Sequence, residues 1–128
     1  MKKVFLLVFL ALFLAAGAFA QNIGRVEQNG RNFVILNETG GRIASQRIGR
    51  GSHILAGWGR DFFVVRYGNT IQTHDTRGRQ IASWNIEGIA RGVTISSVSI
   101  ANDQVSVFTV AGGNIPAARL DRQLRTLN

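Results

Sequence analysis

The chain has 128 residues, no cysteine, and 15 lysines and arginines against 7 aspartates and glutamates, a formal net charge of +8. That composition excludes a disulfide scaffold, a thiol nucleophile and anchoring through a lipid-modified cysteine. The basic excess predicts attraction to anionic surfaces such as lipopolysaccharide, acidic glycans or nucleic acid, without selecting one.

Residues 1–20 read as an export signal. Lys2 and Lys3 make a positive start, Val4 to Ala16 carry no charge, and Ala18-Phe19-Ala20 fits the small-x-small pattern of signal-peptidase cleavage. The apolar run is shorter than the roughly 20 residues of a spanning helix and nothing comparable follows, so no membrane span is expected after cleavage. What remains is a single domain, residues 21–128, exported to the periplasm or the exterior of a bacterial cell. Its 108 residues suffice for one core. All its basic residues are arginines, and its net charge is about +6.

From Gln21 onward, short β-rich runs alternate with Gly, Asn and Asp turns, residue types that accept the backbone geometry of tight hairpins. The first unit has predicted strands at 24–28, 32–37 and 42–48, with a turn at Asn29-Gly30. The second has strands at 54–58, 62–67, 70–75 and 80–86, joined by Gly59-Arg60-Asp61, Gly68-Asn69 and Thr76-Arg77-Gly78-Arg79. Its second strand is apolar on both faces, Phe62 and Val64 on one and Phe63 and Val65 on the other, as expected for a central strand covered on both sides. The third unit has strands at 92–100, 104–110 and 114–120, with turns at Asn102-Asp103 and Gly112-Gly113. In the tail, Leu120, Leu124 and Leu127 suit a helix, while Leu120, Arg122 and Leu124 equally continue a strand. Pro116, the single proline, fits an edge strand, where no ladder donor is missed.

The units repeat. Asn37, Gly40, Ile43, Ala44, Ser45 and Ile48 return in kind 38 positions later as Asp75, Gly78, Ile81, Ala82, Ser83 and Ile86. A fainter third copy is read with Gly112, Ile115 and Leu120 at the Gly78, Ile81 and Ile86 slots. Self-similarity at this period marks repeated units that bury their faces against one another.

His74-Asp75-Thr76-Arg77-Gly78-Arg79-Gln80-Ile81-Ala82-Ser83-Trp84 resembles the hairpin between third and fourth strands in WD-repeat and quinoprotein-type β-propeller blades. Leu36-Asn37-Glu38-Thr39-Gly40-Gly41-Arg42-Ile43 is similar to the same hairpin, with asparagine for aspartate. The resemblance implies an all-β antiparallel meander of about three propeller-like blades. It departs from the family in lacking a Gly-His pair at the blade start, in carrying His74-Asp75 where a Trp-Asp pair would stand, and in matching no quinone site. At about 38 residues per unit the domain holds fewer than three blades, below the roughly four to eight of a closed ring. Two or three chains could complete a ring, the meander could roll into a small β-barrel or two-layer sandwich, or the chain could pair with another protein.

Catalytic signals are sparse. The histidines are His53 and His74; their neighbours Ser52 and Asp75 point to opposite faces of a strand and form no nucleophile–base pair. Asp75 is expected to accept hydrogen bonds from its own turn, and Asn37 likewise. Gly49-Arg50-Gly51-Ser52 lacks a Walker lysine and reads as a loop. No cofactor or metal is expected. Aromatic residues that occur once, outside the repeat's demands, are candidates for stacking on a ligand: Trp58, Tyr67 and Trp84. Core packing is the competing role for each. Arg77 and Arg79 are candidates for contacting an anion, alongside arginines at 47 and 50 and at 119, 122 and 125, although these fall at unmatched slots of the copies. Three functions follow in order of support: a non-catalytic exported binding module engaging an anionic glycan or envelope protein; a self-assembling envelope subunit, a homo-oligomer; and a small hydrolase using His74 and Asp75. Nucleic acid ranks below these partners.

Overall fold

The computed structural model describes residues 22–49 and 52–127. The export signal at 1–20 and the centre of the Gly49–Ser52 loop lie outside the described residues. Among the described residues ten strands form: β1 Ile23–Asn29, β2 Asn32–Asn37, β3 Arg42–Arg47, β4 Ile54–Trp58, β5 Phe62–Tyr67, β6 Thr70–Asp75, β7 Gln80–Asn85, β8 Ile95–Ala101, β9 Gln104–Thr109 and β10 Ala118–Leu120. One turn of 3₁₀ helix, Ile86–Gly88, leads out of β7, with Asn85 capping it through Glu87 N–H. None of these elements is a helix long and apolar enough to cross a membrane.

The protein is all-β. The strands make three antiparallel meanders, ordered β1-β2-β3, β4-β5-β6-β7 and β8-β9-β10, and no sheet closes into a barrel. The middle sheet is packed on both faces, and strand β5 shows why. Phe63 and Val65 join Ile23, Val26, Phe33 and Ile35 in a core against the first sheet. Phe62 and Val64 join Ile95, Val105, Val107 and Leu120 in a core against the third. The expectation of a sheet covered on both sides is met. The end sheets differ: 38 positions before Phe63 and Val65 stand Arg25 and Glu27, exposed and paired with each other. On the third sheet, the positions alternating with the buried ones are Ser97, Ser99, Ala101, Gln104, Ser106, Phe108 and Arg119. The first outer face is therefore mixed, with half-buried Val34 and Leu36 opposite Glu27 and Arg25, and the outer face of the third sheet is mostly polar.

One of the positions at which side chains join the sheets recurs between units. Gln28 donates to Gly30 O of its own hairpin (2.9 Å) and to His53 O of the next sheet (2.6 Å), and accepts from Leu55 N–H. Its counterpart 38 positions on, Arg66, donates to Gly68 O (3.2 Å), Ser96 O (3.3 Å) and Ile95 O.

The turns before the last strand of each unit share one construction. Asn37 Oδ1 accepts from the N–H groups of Thr39 (3.0 Å) and Gly41 (2.8 Å), and Asp75 Oδ1 from Arg77 and Arg79 (both 2.9 Å). A third such turn starts at Asp121, whose Oδ1 accepts from Gln123 and Arg125, both at 2.9 Å. The third copy is thus corrected. Its counterpart of Gly78 is Leu124, not Gly112, and the tail is neither helix nor continued strand but this turn, followed by a bridge from Leu120 to Thr126. Gly40 and Gly78 hold φ of +88° and +84° at the turn's fourth position, and Leu124 holds +58°. A left-handed leucine costs about 1–2 kcal/mol, offset by burial of its side chain in the core. Pro116 lies in the loop before β10 rather than on a strand.

Candidate functional site

Hairpin alternation gives the stack two ends. One carries the turns at 37–41, 58–62, 75–79, 101–104 and 121–125; the other carries the hairpins at 29–32 and 67–70, the described residues 48–49 and 52–53, the link at 86–94 and the loop at 110–117. Bonds between sheets align the ends. Ile23 N–H donates to Arg60 O (2.7 Å) and Arg60 N–H to Asp103 Oδ1 (2.9 Å) at the first, while Gln28 and Arg66 make their clamps at the second.

The two ends are chemically unlike. Five of the seven carboxylates, Glu38, Asp61, Asp75, Asp103 and Asp121, lie in the turns of the first end. Four of them pair with arginines: Arg122 with Asp61, Arg79 with Asp75, Arg60 with Asp103 and Arg125 with Asp121. The turn amides and Arg125 hold the Asp121 carboxyl below its ordinary value. The second end has Glu87 as its one acidic residue in the described hairpins and links, and it carries exposed large apolar side chains. Ile54, Tyr67, Ile89, Val110 and Ile115 all lie there, with relative exposures from 52% to 75%. Among the described residues Trp58, at 37%, is the other such residue, and it sits at the opposite end.

Below Ile54 of this rim a groove of about 460 Å³ runs between β4 and β8, lined by Ser52, Ile54, Ala56, Arg66, Ser97 and Val98 among others. Beside it, the His53 and Tyr67 rings stack 4.9 Å apart and 13° from parallel. The backbone makes room for this stack at Gly49, whose φ is +77° and where an added Cβ would collide with the His53 ring. Arg31 donates to Gly49 O and so fixes the loop from the first sheet. His53 Nδ1 is buried without a hydrogen-bond partner among the described residues.

The candidates from sequence are dispersed. Tyr67 belongs to the rim. Trp58 pairs with Phe63 across the strands at the other end. Trp84, opposite Ile71 on β7, packs half-buried against the core between the second and third sheets. Arg77 and Arg79 lie on the Asp75 turn; Arg79 approaches that carboxylate at 3.9 Å, and Arg77 makes no ion pair among the described residues. The rim residues Ile54, Ile89, Val110 and Ile115 escaped sequence reading because isolated aliphatics in β-rich segments read as core. The available signal was their position next to turn residues, as in Val110-Ala111-Gly112-Gly113.

His74 and Asp75 serve the fold in this arrangement. The His74 ring is buried 5.3 Å from Phe63, which itself stacks 5.9 Å from Phe33. Its Nδ1–H donates to Gly78 O at 3.1 Å, and burial pushes its pKa below the ordinary value. Asp75 Oδ1 is occupied by its own turn. Comparison of the chain with protein-family models, curated proteins and solved structures finds no match.

Proposed function

We propose that the mature chain is an exported, non-catalytic interaction module of three propeller-like units that engages an anionic component of the cell envelope through its apolar rim. Segregation carries this reading: exposed apolar side chains and the groove gather at the end from which most carboxylates are absent. Large exposed apolar residues grouped together mark interaction surfaces more often than scattered ones do. The propeller-like reading is supported by three similar meanders stacked face to face, with β1, β4 and β8 adjacent where Gln28 and Arg66 clamp them. Tyr67 is assigned to the contact surface. Trp58, Trp84, Arg77 and Arg79 are not.

The test is retention of residues 21–128 on heparin-like and lipopolysaccharide-like matrices. Retention at moderate salt, weakening as salt rises, is expected for a partly electrostatic contact. Passage through both matrices at low salt contradicts the proposal.

A further inference from the structure

We infer that the rim docks on the surface of an anionic lipid bilayer, with the tips of its loops entering the headgroup region. The inference rests on the proposed role of the rim and names the surface it meets.

Three observations favour a bilayer over a protein partner. First, the apolar side chains are carried by separate segments: Ile54 at the start of β4, Tyr67 at the end of β5, Ile89 on the 86–94 link, and Val110 and Ile115 on the 110–117 loop. A fluid interface accepts scattered aliphatic tips together with a tyrosine, which places its ring in the apolar boundary and its hydroxyl among headgroups. Second, these loops leave open space around their glycines. At Gly68, Gly88, Gly92 and Gly113 an added Cβ would meet nothing within 4 Å. Third, the charges suit anionic headgroups. Arg47 at the end of β3 and Arg91 on the link are exposed and make no ion pair among the described residues, and the carboxylate-rich turns lie at the far end. Basic residues at such a surface each strengthen binding to anionic lipid.

The experiment is co-sedimentation of residues 21–128 with vesicles of phosphatidylcholine alone and of phosphatidylcholine mixed with phosphatidylglycerol, alongside the heparin-like matrix. The wild-type chain should bind mixed vesicles about tenfold more strongly than neutral ones. Val110→Ser with Ile115→Ser should reduce that binding about tenfold, with thermal melting showing the variant folded. Arg91→Gln should weaken binding to mixed vesicles and leave the residual binding to neutral ones unchanged. Equal binding to both vesicle types, or undiminished binding by the double serine variant, overturns the inference. Retention on heparin without vesicle binding overturns it while leaving the interaction-module reading in place, and absence of both overturns the two together.

Discussion

Replacing Arg66 tests how the sheets are joined. Its guanidinium makes three hydrogen bonds to backbone carbonyls, one within its own hairpin and two on the first strand of the third sheet. Bonds from a charged donor contribute about 1.5–3 kcal/mol when well shielded. The group is partly exposed and water replaces some of the lost contacts, so Arg66→Ala should cost about 2–3 kcal/mol in all. That is a large share of the roughly 5–15 kcal/mol that holds a domain of this size. Arg66→Gln should cost about half as much, because Gln28 makes the equivalent clamp between the first two sheets with a shorter side chain. Urea unfolding of residues 21–128 reads the difference. The alanine variant should lower the midpoint by about 1–2 M with the slope unchanged. A loss below about 0.5 kcal/mol for alanine, or a glutamine variant as damaged as alanine, would refute the equivalence of positions 28 and 66.

The remaining predictions concern the turns, the buried histidine and the ends of the stack. Asp75→Asn should change stability by less than about 0.5 kcal/mol, since Asn37 builds the same turn, whereas Asp75→Ala should cost about 1–2 kcal/mol in urea unfolding. Burial lowers the pKa of His74, so the unfolded chain takes up its proton first as pH falls. Stability from this group is full above its ordinary value of 6.5 and declines below it toward the depressed folded value, and thermal melting of His74→Gln should lose that limb of the pH profile. With Arg25 and Glu27 paired on the first outer face and serines along the last, a monomer is expected by light scattering at low and high salt; a stable dimer or trimer would mean that sheets close across chains and cover Val34 and Leu36.

Much of the fold was legible because local chemistry and tertiary position agree. The alternation of Phe62, Phe63, Val64 and Val65 required two covered faces, and both cores are present. Asn37 and Asp75 announced their turns, and Asn102-Asp103 forms a tight hairpin with both φ values positive, at +52° and +59°. The third copy was misplaced for a physical reason. Its left-handed turn position holds Leu124, which only tertiary burial makes tolerable, while Gly112 offers the expected residue type at the wrong place. The candidate site was less legible. Ile54, Ile89, Val110 and Ile115 do not reveal in sequence that they share one end, because that grouping depends on how three hairpins are stacked. Arg66 likewise reads as a solvated charge until the next sheet supplies carbonyls for it.

Amide hydrogen exchange of residues 21–128, with and without lipopolysaccharide, tests most directly whether the rim is the contact surface. Slowed exchange at 67–70, 86–94 and 110–117, with the turns at 75–79 and 121–125 unchanged, is the predicted result. Protection confined to those carboxylate-bearing turns, or none despite retention on the lipopolysaccharide-like matrix, would contradict it.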